Sequence, residues 1–68
     1  MIKYKFDILE GLKNAGYTTT RLRKEKLLGE NIIQYLRQGK PVGIDSINKL
    51  CRMLDSQPGD IIKYIKDE

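Results

Sequence analysis

Between residues 21 and 40 the chain carries six basic residues, Arg21, Arg23, Lys24, Lys26, Arg37 and Lys40, and two acidic ones, Glu25 and Glu30. Asn31, Gln34 and Tyr35 fall within the same stretch. These types suit recognition of hydrogen-bonding edges and anionic groups rather than bond making. The amides of Asn31 and Gln34 can each pair bidentately with an adenine edge, and the Glu30 carboxylate can accept from a cytosine amino group. Tyr35 can touch a thymine methyl or a phosphate. Arg37 and Lys40 suit phosphates, as do Arg21 and Arg23 on the preceding segment, and such contacts fix position rather than sequence choice. Each assignment has a plainer counterpart. The basic cluster fits a solvated helix face, Glu30 fits a carboxylate complementing a helix dipole, Asn31 and Gln34 fit ordinary surface polarity, and Tyr35 fits packing against a neighbouring helix.

Other chemistries lack their residues. The 68-residue chain has no histidine and a single cysteine, Cys51. That removes an internal disulfide, the usual zinc ligand sets and Ser-His or Cys-His nucleophiles. Gly29, Gly39 and Gly43 are spaced as helix punctuation, not as a phosphate cradle. A chain this short builds one small core and has little room for a catalytic pocket. It therefore reads as no enzyme, with no cofactor, no metal and no small-molecule effector. Thirteen Lys and Arg against nine Asp and Glu give a net charge of +4, which favours an acidic partner. The start, Met1 to Asp7, alternates apolar and charged residues without an apolar run of signal length. No stretch approaches a membrane span. The expectation is a soluble cytoplasmic protein.

The positioning elements follow from periodicity. Lys3 to Phe6 alternates in period two, which fits a short strand or an extended arm. Asp7 and Glu10 stand in capping-box spacing, and Ile8, Leu9, Leu12 and Ala15 recur at helical spacing up to Gly16. This predicts helix one over about 7–15, with Gly11 costing about 1 kcal/mol relative to Ala. Thr18 is an N-cap for a polar helix two with Leu22 inward, and Leu27 and Leu28 plug the core at the turn. Helix three runs from Glu30 to Gln38, with Ile33 and Leu36 inward, between Gly29 at its N-cap and Gly39 past its end. Ile47, Leu50, Cys51 and Leu54 mark an amphipathic helix over about 44–55, with Cys51 read as core. Pro58 suits a first helical position, and Ile61, Ile62 and Ile65 predict a buried face for helix five over about 58–66, after which the charged tail frays. The expectation is a single all-α domain over 1–68.

Two short helices meeting at Leu27-Leu28-Gly29 have the organisation of a helix-turn-helix, over about 18–39. The first lies across the DNA backbone and the second enters the major groove. The stretch from Thr18 to Lys40 resembles the core of the Cro/C1-type helix-turn-helix regulators, and so do Ile47 to Leu54 and Gln57 to Ile62. The likeness covers about residues 7–65. It implies a five-helix, phage-repressor-like DNA-binding domain with helix two about 19–26 and helix three about 30–38. By position it places Thr19 near a phosphate at the start of helix two, Glu30, Asn31 and Gln34 at base-reading positions, Tyr35 at their border, and Arg37 and Lys40 by the sugar-phosphate rail. Leu22, Leu28, Ile33, Leu36, Leu50 and Leu54 match core positions.

The chain departs from the family pattern at Arg23, where many relatives have Ala, and at Leu27, where many have Gly. Either the two helices cross more widely or Arg23 points outward. The function so implied is sequence-specific regulation of transcription on double-stranded DNA by a homodimer. A protein-interaction module on the same fold, such as an antirepressor or an antitoxin-like subunit, is the rival. The segment Ile2 to Phe6 either pairs with its copy in a second subunit or packs along helix five.

Overall fold

A computed structural model describes residues 1–66, and the far end of the charged tail, expected to fray, lies outside them. The order is β1 (Ile2–Tyr4), α1 (Ile8–Asn14), α2 (Thr19–Lys24), α3 (Glu30–Gln38), α4 (Ile44–Leu54), α5 (Pro58–Ile61) and β2 (Ile62–Tyr64). The domain is mostly helical, with five helices and a small antiparallel sheet made from the two ends of the described chain.

The helices start where the caps predict. The Asp7 carboxylate accepts from the Glu10 N–H at 3.3 Å, and Thr18 Oγ1 accepts from the Arg21 N–H at 3.2 Å. Four helices end alike. The residue just past each of α1 to α4, or one further on, takes a left-handed conformation: Gly16, Lys26, Gly39 and Asp55. The following N–H then reaches back to a carbonyl in the last turn, as from Tyr17 to Leu12 at 2.7 Å and from Leu27 to Leu22 at 3.0 Å. This is the Schellman closure, which satisfies carbonyls a helix end leaves unpaired. It brings α2 to an end at Lys24, two residues before the expected 26, because Lys26 itself takes the left-handed conformation (φ 54°) that closes the helix.

Ile8, Leu12, Leu22, Leu28, Ile33, Leu36, Leu50 and Ile61 are buried together. Leu54 and Cys51 are partly buried against this core. α1 packs on α3 and α4, and α4 packs on α5. The expected cost of Gly11 meets a local constraint. A Cβ there would stand 2.5 Å from the Phe6 ring edge, so glycine lets that ring lie over α1.

Helix five over 58–66 is corrected by the structure. α5 is one turn long, with Asp60 Oδ2 accepting from the Gln57 N–H at 3.0 Å at its start. The chain then extends as β2 and pairs with β1, matching Ile2 to Tyr64, Lys3 to Lys63 and Tyr4 to Ile62. Ile-Lys-Tyr on each strand is rich in β-branched and aromatic residues, which fit a half-buried pleated surface. The N-terminal segment therefore pairs within the same chain, with a strand where a long helix five was expected. Ile65, expected on the buried face, is 41% exposed. Among the described residues, no helix is long and apolar enough to cross a membrane.

Candidate nucleic-acid interface

α3 is placed by its apolar stripe. Ile33 and Leu36, one turn apart, are fully or nearly fully buried, with Ile32 half-buried beside them. The opposite side carries Asn31, Tyr35 and Arg37, all exposed, and Gln34, half-buried. Gly29 caps the start without a side-chain hydrogen bond, and Gly39, at φ 72°, closes the end. The Lys40 N–H donates to the Tyr35 carbonyl at 2.8 Å, and Tyr4 Oη donates to the Lys40 carbonyl at 2.7 Å. The sheet thus ties down the segment that leaves α3, and the same partial burial raises the Tyr4 hydroxyl pKa above its ordinary value.

The two arginines of α2 have different surroundings. Arg21 Nη1 donates to the Gly16 carbonyl at 3.0 Å, its Nε donates to Glu25 Oε2 at 2.7 Å, and its guanidinium lies 4.7 Å from the centre of the Tyr17 ring. It holds the start of α2 against the end of α1. Arg23 reaches across the turn instead. Its Nε donates to Glu30 Oε2 at 2.9 Å and its Nη2 to Glu30 Oε1 at 3.0 Å. With 45% of its side chain exposed, Arg23 points outward, the second of the two expected consequences of replacing a small residue there.

The Arg23 hydrogen bonds, more than any other influence, hold the Glu30 carboxyl below the usual carboxylate range. Desolvation opposes them, while the Arg23 charge, the Gln34 side chain and the charge of Arg37 add to the lowering. Arg23, Glu30, Gln34 and Arg37 therefore form one polar group on the outer side of the α2–α3 unit. Thr19 is half-buried at the start of α2. Lys24, Lys26, Arg37 and Lys40 form no ion pair with a described residue. Arg23, Lys26, Leu28, Gly29 and Glu30 line an open concavity of about 360 Å³ at the turn.

The pairing of Arg23 with Glu30 was not foreseen from the sequence. They are seven residues apart but on different helices, so helical spacing gives no signal for the contact. Tyr4 and Lys40 are joined across 36 residues, again without a local signal.

A short helix joined by a brief turn to a second helix whose apolar stripe is buried and whose polar side is open has the organisation of a helix-turn-helix domain. The chain belongs to the Cro/C1-type HTH DNA-binding domain family, whose profile matches residues 8–67. Comparison with curated proteins and with solved structures gives no match.

Proposed function

We propose that the protein is a sequence-specific regulator of transcription that binds double-stranded DNA as a homodimer and inserts α3 into the major groove. The observation that carries this reading is the open polar side of α3: Asn31, Tyr35 and Arg37 are exposed over the buried Ile33 and Leu36. Asn31, Gln34 and Tyr35 read bases, while Thr19, Arg21, Arg37 and Lys40 serve the backbone. Arg21 does so within the limits of its contacts to Gly16 and Glu25. Two copies on a near-palindromic site place their recognition helices about 34 Å apart. The role is one of binding without catalysis, cofactor or small-molecule effector, and it belongs in the cytoplasm.

The test is titration against genomic duplex fragments at several salt concentrations, with selection from a random pool to define the site. Specific binding weakens steeply as salt rises, because each neutralised phosphate releases counterions. Asn31→Ala or Gln34→Ala costs about 1–3 kcal/mol and relaxes the choice of base at one position, whereas Lys40→Ala weakens all sequences alike. Sedimentation of the protein–DNA complex reports two chains per site. Binding indifferent to both salt and sequence overturns the proposal.

The rival, a protein-interaction module, draws its support from elsewhere on the surface. Ile44 is 86% exposed at the start of α4, and Ile2 and Tyr64 are also uncovered. A stoichiometric protein partner in a pull-down, with no shift of any duplex, favours that reading.

A further inference from the structure

The fork between Arg23 and Glu30 is asymmetric. A guanidinium carries N–H donors along two usable edges. Here the side edge, Nε with one N–H of Nη2, is given to the two carboxylate oxygens of Glu30. The end edge, one N–H of Nη1 and the other of Nη2, has no hydrogen-bond partner among the described residues. It belongs to a side chain that is 45% exposed and lines the concavity at the turn, beside Lys26.

Both Glu30 oxygens accept from Arg23. Each oxygen keeps a second acceptor site, but the plane of the carboxylate is set by the two Arg23 bonds and would have to turn with Arg23 to meet a cytosine amino group. Holding Arg23 requires nothing to move. A carboxylate that fixes a guanidinium by two parallel bonds also fixes the direction of its free edge. That edge matches two oxygens of a phosphodiester in the same bidentate manner.

We propose that Glu30 is a positioning residue for Arg23, and that the pair presents the free guanidinium edge to a phosphate of the DNA backbone while Glu30 itself reads no base. The assignment rests on the DNA-binding reading above and changes the role of one residue within it. Lys26, with no ion pair to a described residue, adds positive charge on the same rim. The negative charge of Glu30 is offset by its partner.

The experiment compares wild type, Arg23→Ala, Glu30→Ala and the double variant, by selection from a random duplex pool and by titration of selected and scrambled duplexes at several salt concentrations. Far-UV circular dichroism accompanies each variant. The pair is half-exposed, and surface ion pairs contribute little to stability, so the variants fold. Arg23→Ala weakens selected and scrambled duplexes alike, by about tenfold, as expected for loss of a charge-assisted bidentate contact. It also lowers the log–log salt slope by about 0.9, the share of one phosphate. Glu30→Ala selects the same bases as wild type at every position. It weakens binding several-fold when Arg23 is present and does not weaken it in the Arg23→Ala background, where only a repelled charge is removed.

A changed base preference at one position in Glu30→Ala overturns the assignment and returns Glu30 to base reading. A salt slope unaltered by Arg23→Ala, or equal losses from Glu30→Ala in both backgrounds, also overturns it. Wild-type protein that binds no duplex overturns this assignment together with the regulator reading. Wild-type binding combined with any of the other results overturns this assignment alone.

Discussion

On α3 the apolar side chains Ile33 and Leu36 are 0 and 5% exposed and the outward side is polar, whereas on the terminal sheet Ile2 and Tyr64 stay 47 and 67% exposed. Both regions rest on the same core, to which α3 contributes Ile33 and Leu36, and against which Tyr4 and Ile62 of the sheet pack beside Ile61, the last residue of α5. The difference follows from geometry. A helix can commit one stripe to the core and leave a continuous opposite side free for polar groups. Two strands of three residues cover little area and are marginal alone. The sheet is therefore held by ties at its margins. Lys5 N–H donates to the Ile61 carbonyl at 2.8 Å, and the Ile65 N–H donates to the Met1 carbonyl at 2.8 Å. One region offers side chains outward, while the other joins the two ends of the domain.

The largest expected effect tests whether the joining region shares the core or merely lies on it. Ile61 is fully buried at the junction of α5 and β2. Ile61→Ala removes buried methyl groups and leaves a cavity, at a cost of about 2–5 kcal/mol. Domains of this size have roughly 3–10 kcal/mol in all, so the variant is close to unfolding. Urea denaturation followed by circular dichroism measures the loss. A loss below about 1 kcal/mol would make the sheet a peripheral addition, and the comparison of two regions on one core would fail.

The same two regions differ in how openly the sequence declares them. Leu22, Ile33, Leu36 and Leu50 are buried on the inward faces of their helices as expected, because helical periodicity is local and amphipathic, and Leu28 is buried at the turn where it was expected to plug the core. Gly16 and Gly39 announce helix ends because they occupy left-handed conformations. Lys26 and Asp55 make the same turn without that signature, so the end of α2 was expected too late. Ile61 and Ile65 are four apart, which suits a helix. What makes residues 62–64 a strand is the partner at Ile2–Tyr4, at the other end of the chain, where no local pattern can reach. For the candidate interface, residue types pointed to α3 and its flank. The pairing that sets Arg23 apart from Arg21 is tertiary and had no sequence period.

A smaller effect tests the link between the regions. Tyr4 belongs to β1, and its hydroxyl donates to the Lys40 carbonyl just beyond α3. Tyr4→Phe keeps the ring and deletes the bond, at a cost of about 0.5–1.5 kcal/mol. The loosening is local, so the Lys40 amide, which donates to the Tyr35 carbonyl at 2.8 Å, exchanges its hydrogen faster than in wild type. Exchange in the middle of α3, at Ile33, changes only with the global loss. Equal acceleration at Lys40 and Ile33 would mean that the bond stabilises the whole domain and does not tie one region to the other.

The smallest effect is a gain in stability, within the sheet itself. The register places Lys3 directly opposite Lys63, and both are exposed. Residues alternate across a strand, so these lysines share one side while Ile2, Tyr4, Ile62 and Tyr64 take the other. Like charges directly opposed are destabilising, and an opposite pair contributes about 0.2–1 kcal/mol. Lys63→Glu therefore raises the urea midpoint, and Lys63→Gln, which removes repulsion without adding attraction, raises it by less. Both gains shrink as salt screens the exposed charges. A gain indifferent to salt would have to come from strand propensity or packing. A loss from Lys63→Glu would mean that Lys63 faces a negative group rather than Lys3, and the pairing of the two ends would need a different register.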